Sequence, residues 1–200
     1  MLKEFRLVLA STSPRRKMLL KKLFRRFEII APEIEEKNFE TAQETVEKLS
    51  ILKALNVYEK VSDAIVIGAD TIVEVDGNIL GKPENNSEAR CYLRMLSNRS
   101  HIVHTAVAVV SRGEVWTKYR YTTVKFRKIP DEFLDSYISI YSFDKAGGYG
   151  IQDLGGVLVE GIDGDLYTVM GLPIGDLWEY FYSKGWWSFE TEREDAENWI

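Results

Sequence analysis

The sequence predicts a single α/β domain built on a mixed sheet, and three observations carry that prediction. A short apolar run near the start leads within a few residues into a proline-initiated helix. The run Ala64 to Val75 is too continuously apolar for a strand wet on one face, which points to burial on both. Two long strand-like segments then follow, joined by a turn tight enough that they must be antiparallel. With 200 residues, 45% apolar and 28% charged, the chain is long enough for one ordinary domain and too apolar to be disordered.

In order, Phe5 to Ala10 reads as a short strand, and Ser11-Thr12-Ser13 as a tight connection to a helix over Pro14 to Phe24. Met18, Leu19, Leu20, Leu23 and Phe24 supply that helix's apolar face. Phe27 to Ala31 is a second strand. Thr41 to Tyr58 carries Ala42, Val46, Leu49, Leu52 and Leu55 at helical spacing. After the buried strand, Asp76-Gly77 is a type I′ hairpin turn. Ser87 to Leu96 is helical. Strands at Ile102 to Val110 and Val115 to Phe126 meet through Arg112-Gly113, and Pro130 to Ile140 is a helix. A glycine-rich stretch, DKAGGYGIQDLGG, precedes a strand at Val157 to Ile162, and the last clear helix begins near Pro173. There is no internal repeat or linker.

Composition excludes several classes. No apolar run approaches the ~20 residues of a membrane span, and the start is too short in apolar residues for a secretory signal. One cysteine, Cys91, allows no internal disulfide; on an amphipathic helix it reads as small core filler. A soluble, reduced, cytoplasmic domain is the expectation. Residues 1 to 26 hold nine Lys and Arg against Glu4, a local balance of about +8, whereas Ser188 to Ile200 carry five acids against Arg193. Such a basic segment faces nucleic acid, lipid or polyphosphate, or is simply a solvated face, the reading we adopt for Lys21, Lys22, Arg25 and Arg26.

Candidate chemistry concentrates in two places. In Ser11-Thr12-Ser13-Pro14-Arg15-Arg16, serine caps a helix whose free N–H groups would face an anion, and two arginines in the first turn oppose the helix dipole unless compensated. A phosphate chain would compensate them; surface ion pairs would too. In Gly68-Ala69-Asp70-Thr71, a carboxylate closes a buried run, where it is costly without a cation or donors; Asp70 suits a Mg²⁺ ligand, a general base or a turn cap. Glu33, Glu35, Glu36, Lys53 and Lys82 are of the right types to complete a cation and phosphate site, but spacing alone favours surface placement for them. Leu80 and Ser87 spoil a calcium-loop reading of the segment from Asp76. No P-loop, dinucleotide fingerprint, HExxH or GxSxG is present. His101 and His104, three apart on a strand, face opposite sides and cannot share a metal.

Taken together, LASTSPRRKMLL, IEE at 34–36, LKA at 52–54, GADTIV, ILGKPEN, LSNRSHIVHTAVAV, DKAGGYGIQ and GLP resemble the Maf family of nucleoside triphosphate pyrophosphatases, in order and over roughly residues 5–184. The resemblance implies a mixed, elongated β-sheet flanked by helices, similar to the inosine triphosphate pyrophosphatase-like fold. It also implies a homodimer and Mg²⁺- or Mn²⁺-dependent cleavage of nucleoside triphosphates to monophosphate and pyrophosphate; no specific nucleic acid partner is expected, because base-stacking aromatics are not interleaved with the N-terminal cations. It assigns phosphate binding to Ser11, Arg15, Arg16, Lys53 and Lys82, metal binding to Glu36 and Asp70, and the base role to Asp70. Arg15, Thr71 and Gln152 match positions tied to substrate choice, and GADT with YGIQ resembles the branch acting on dTTP and UTP. The alternative is a nucleic-acid-binding or division-linked regulator using the basic N-terminal helix, kept open by the family's association with septum formation.

Asn98 stands where the family usually has glycine, and Thr168 where asparagine often precedes GLP. On this reading residues 1–185 are the Maf-like domain and 186–200 an aromatic, acidic extension. Trp186, Trp187, Phe189 and Trp199 are too apolar to leave in water, so the extension is expected to dock on the domain or across a dimer interface.

Overall fold

The computed structural model describes residues 5–141 and 143–188. Seven strands form one mixed sheet. β1 (Leu7–Ala10) lies between β2 (Glu28–Ile29) and β3 (Ile65–Val75), parallel to both. β5 (Ser100–Ser111), β6 (Glu114–Phe126) and β7 (Val159–Asp163) continue from β3 with antiparallel pairing. β4 (Asn78–Leu80) returns onto β3 through Asp76-Gly77, whose φ values of +50° and +76° are those a type I′ turn demands. Arg112-Gly113, at +52° and +80°, makes the β5–β6 turn in the same way.

The layers follow from strand alternation. One face of β3 and β5 presents Val66, Ile72, Ala106, Ala108 and Val110 to α2 (Ala42–Tyr58). The other face carries two separate cores. Ile67, Ala69, Val107 and Val109 pack on α1 (Pro14–Leu20) and α6 (Ile174–Ser183); Val73, Val103, Val124 and Phe126 pack on α3 (Asn86–Leu96) and α4 (Asp131–Tyr141). Thr71 falls between them.

The edge of β3 facing β1 is interrupted. β1 pairs with Ile65 to Gly68 and β4 with Val73 to Val75, so among the described residues Ala69 to Ile72 have a strand partner only on the β5 side. This notch lies at the carboxyl end of β1, where parallel sheets place their ligands.

Several boundaries differ from expectation for identifiable reasons. α1 stops at Leu20 because the next bonds, Lys22 N to Leu19 O and Leu23 N to Leu20 O, tighten to three-residue spacing. That turn swings Phe24 into the core, 4.8 Å from Phe181, and leaves Met18 exposed. The second strand shrinks to two residues, and Val157 lies in a 3₁₀ turn before β7. α5 (Leu166–Met170) was not anticipated. Asp165 caps it, accepting from Thr168 N at 2.7 Å and Thr168 Oγ1 at 2.8 Å. Cys91 is exposed rather than core filler, because Ala89, Leu93 and Leu96 define the opposite, buried side of α3. Asn98 adopts φ +60°, a conformation asparagine tolerates better than other residues with a Cβ.

Lys21, Lys22, Arg25 and Arg26 are exposed, as expected of a solvated face. Trp187 is buried, donating from Nε1 to Leu23 O at 2.9 Å, and Trp186 packs on Phe5 and Phe181. Phe189 and Trp199 lie outside the described residues. No helix among the described residues is long and apolar enough to cross a membrane.

The two histidines sit on opposite faces of β5. His101 Nε2 is 2.7 Å from the Tyr149 hydroxyl, its ring edge-to-face with both Phe126 and Tyr149, while His104 Nδ1 is 2.8 Å from the Tyr119 hydroxyl. Burial pushes His101 down to about 4. In the unfolded chain it takes a proton near pH 6.5, so the unfolded state binds the proton first as pH falls. Stability is therefore full above that pH and declines by about 3 kcal/mol as pH drops through the window from 6.5 to 4. Urea unfolding at pH 7.5 and 4.5 is expected to show a smaller pH penalty for His101→Gln than for the parent; equal penalties would remove His101 as its source.

Candidate functional site

α2 begins at the cap Thr41, whose Oγ1 accepts from Glu44 N at 3.1 Å. Its buried stripe is not the expected one. Leu52 is exposed, and Ser50, Lys53, Ala54 and Val57 take the inner face with Val46 and Leu49. The cause is the close approach of the helix to β3. A Cβ at Gly68 would stand 2.3 Å from Ser50 O and 2.7 Å from Ala54 N, so the helix backbone rests directly on the strand. That contact delivers Lys53 to Asp70, two residues further along the same face of β3.

Lys53 is accordingly buried, not on the surface. Its Nζ lies 2.6 Å from Asp70 Oδ1 and 2.6 Å from Glu36 Oε1, so one ammonium joins two carboxylates. Asp70 is 4% exposed, and its second oxygen, Oδ2, has no hydrogen-bond partner among the described residues. Burial pushes the half-exposed Glu36 carboxyl up, but Lys53, Lys82 and Arg16 outweigh it and hold Glu36 below the ordinary carboxylate range.

On the other face of β3, Thr71 Oγ1 accepts from Arg16 Nη2 at 3.2 Å and lies 3.0 Å from Thr105 Oγ1. Arg16 also donates from Nε to Gly171 O at 3.0 Å, and its Nη1 reaches Ser11 Oγ at 3.5 Å. Burial pushes its guanidinium down, with Asp70 the main opposing influence. Arg15 turns the other way. It meets Asp144 through Nη1 to Oδ2 at 2.5 Å and Nη2 to the backbone O at 2.7 Å, the ion-pair alternative anticipated for this arginine.

Because β3 lacks a strand partner at the notch, residues on both its faces open into one cleft of about 420 Å³. Ser11, Arg15, Arg16, Glu36, Lys53, Asp70, Thr71, Lys82 and Gln152 all line it. Glu33 and Glu35 do not; they are exposed and pair with Lys60 and Lys37. The lining holds five cationic side chains, Lys145 included, against three carboxylates, a surplus that suits an anionic ligand. α1 is only seven residues long, so its dipole contributes little and the guanidinium and ammonium groups carry the attraction.

Among the described residues no three His, Cys, Asp or Glu side chains converge on one point. Glu36 and Asp70 nonetheless share a cation already, and Asp70 Oδ2 is an unsatisfied hard donor. Two carboxylates fit Mg²⁺ or Mn²⁺ when phosphate and water oxygens complete the shell.

Sequence reasoning did not single out Asp144 and Lys145. Lys145 is 8% exposed in the cleft wall, with Nζ 2.5 Å from Asp144 Oδ1 and 3.3 Å from Asp153 Oδ2. Burial pushes the Asp144 carboxyl up, but Lys145 and Arg15 hold it below its usual range.

Residues 6–183 match the family model described as Maf-like protein. A dTTP/UTP pyrophosphatase from Thermotoga petrophila is 47% identical over 193 residues, 95% of each chain. One of the same name from Bacillus cereus is 45% identical over 175 residues, covering 86% of this chain and 92% of that one. A solved nucleoside-triphosphatase / dITP/XTP pyrophosphatase structure from Mycobacterium abscessus aligns with TM-score 0.39 at 18% identity, over 62% of this chain and 76% of that chain. The parallel and antiparallel pairings of the sheet make the fold mixed α/β.

Proposed function

The chain belongs to the Maf-like family, and from that premise we propose that it hydrolyses nucleoside triphosphates, dTTP and UTP foremost, to the monophosphate and pyrophosphate. The observation that carries the reading is the buried Asp70 carboxylate, one oxygen fixed by Lys53 and the other unpartnered, in a cleft with surplus positive charge.

In the reaction a water oxygen bonds to the α-phosphorus and the bond to the oxygen bridging the β-phosphorus breaks, releasing pyrophosphate. The water's proton passes to Asp70 Oδ2, the acceptor not already taken. Lys53 holds the opposite carboxylate oxygen, which fixes the carboxylate's rotation and leaves Oδ2 as the acceptor. We assign the phosphate chain to Arg16, Arg15, Lys82 and Ser11, which line the cleft, and Arg16 is held by Gly171 O and Thr71. A divalent cation bound by Glu36 and Asp70 would neutralise charge on the phosphate oxygens. Thr71, Arg15 and Gln152 are assigned to substrate choice. For Gln152 the reason is chemical: its amide matches part of the acceptor–donor–acceptor edge of uracil or thymine.

The test is pyrophosphate release from a panel of ribo- and deoxynucleoside triphosphates with Mg²⁺ or Mn²⁺. dTTP and UTP are expected to lead, with CTP and purines slower; turnover confined to 7-methyl-GTP would refute the assignment. Gln152→Ala is expected to raise KM for UTP about 10-fold and to narrow the gap to CTP. Equal losses on every substrate would make Gln152 structural.

A further inference from the structure

Paired edge-on with a base, a glutamine amide presents one N–H and its oxygen, whereas a pyrimidine dione presents two carbonyls flanking an N–H. One carbonyl therefore needs a donor that Gln152 does not supply. Lys145 is placed to be that donor. Gly150 lies under both side chains: a Cβ there would stand 2.7 Å from Lys145 Cε and 2.8 Å from Gln152 Nε2, so ammonium stem and amide fold side by side over the glycine. Val73, Ala146 and Tyr149 line the same cleft and supply apolar wall for a ring.

The charge around Lys145 separates it from the phosphate-binding cations. Asp144 and Asp153 flank its ammonium, which leaves a polarised donor with little net attraction for a triphosphate. Its 3.3 Å contact to Asp153 is long enough to be exchanged for a carbonyl oxygen.

We propose that Lys145 is a second base-reading residue, donating to the O4 carbonyl of uracil or thymine while Gln152 reads the adjacent N–H and O2; this rests on the chain's reading as a pyrimidine nucleoside triphosphate pyrophosphatase. Cytosine carries an amino group where uracil has O4, so it turns a donor toward a site built to donate.

The experiment compares kcat and KM for UTP, dTTP and CTP in the parent, Lys145→Met and Lys145→Arg. The Met variant is expected to lose about 10- to 100-fold in kcat/KM on UTP and dTTP, carried by KM, and much less on CTP. The Arg variant retains a donor and should recover part of the UTP/CTP preference. A uniform loss on all three nucleotides would overturn the proposal and leave Lys145 as a brace for the loop. In the unmodified enzyme, 2-thio-UTP and 4-thio-UTP replace each carbonyl by a poorer acceptor, and one of them is expected to show a raised KM. That arm needs no variant to fold, and parent-like KM for both analogues would also overturn the proposal. A parent that does not prefer UTP over CTP would instead defeat the pyrimidine reading itself, and Lys145's role with it.

Discussion

Asp70→Asn is expected to fold as the parent does and to lose about 10³-fold or more in kcat. The substitution is nearly isosteric, and Lys53 keeps Glu36 at 2.6 Å, so its ammonium is not left alone in the core. The two amide atoms are not equivalent, however. If the amide oxygen takes the Lys53 hydrogen bond, an NH₂ group occupies the Oδ2 position, and the cleft receives a donor where the reaction needs an acceptor. Single-turnover pyrophosphate release at saturating metal and UTP measures the effect, and a kcat within a few-fold of the parent would sink the base role. Retention of the parent's melting curve is part of the same expectation.

The second large effect is on stability. Gly68→Ala puts a methyl group 2.3 Å from Ser50 O and 2.7 Å from Ala54 N, both backbone atoms of a helix that cannot yield by rotating a side chain. Overpacking of this kind costs roughly 3 kcal/mol, at the upper end of the usual range. For a domain of this size that lowers Tm by about 6–12 °C, and a shift below about 2 °C would show that α2 slides without cost. Turnover should fall as well, because any retreat of α2 separates Lys53 from Asp70.

Much of the sheet was legible because its signals are local. The Ser-Pro start of α1, the doubly buried run of β3 and the Asp76-Gly77 turn each follow from a few neighbouring residues, and each stands close to where the sequence places it. The site was legible in membership but not in arrangement. Nothing in LKA says that Lys53 is buried; that follows from Gly68, fifteen residues beyond Lys53 on a different element, letting the α2 backbone at Ser50 and Ala54 touch it. Periodicity favoured Leu52 as a core residue because it weighs hydrophobicity and not the room left by a missing side chain. α5 escaped because it is one short turn, although Asp165 three residues before Thr168, with Gly171 after Met170, is a cap-to-stop pattern that marks it. Asp144 and Lys145 were overshadowed by the glycines that follow them, and their meaning depends on Arg15 and Asp153 arriving from elsewhere.

The break in β3's pairing between β1 and β4 has a consequence for the protein's behaviour in a crowded solution. A central strand with one side open from Ala69 to Ile72 is a template on which another extended chain could add itself, the hazard that sheets normally confine to their rims. Here the opening is ringed by Arg16, Lys53, Lys82, Glu36 and Asp70, groups that an incoming backbone would have to strip of water. The charges proposed to hold a nucleotide are thus the same groups that set a desolvation cost on strand addition there, and the two demands fall on the same side chains.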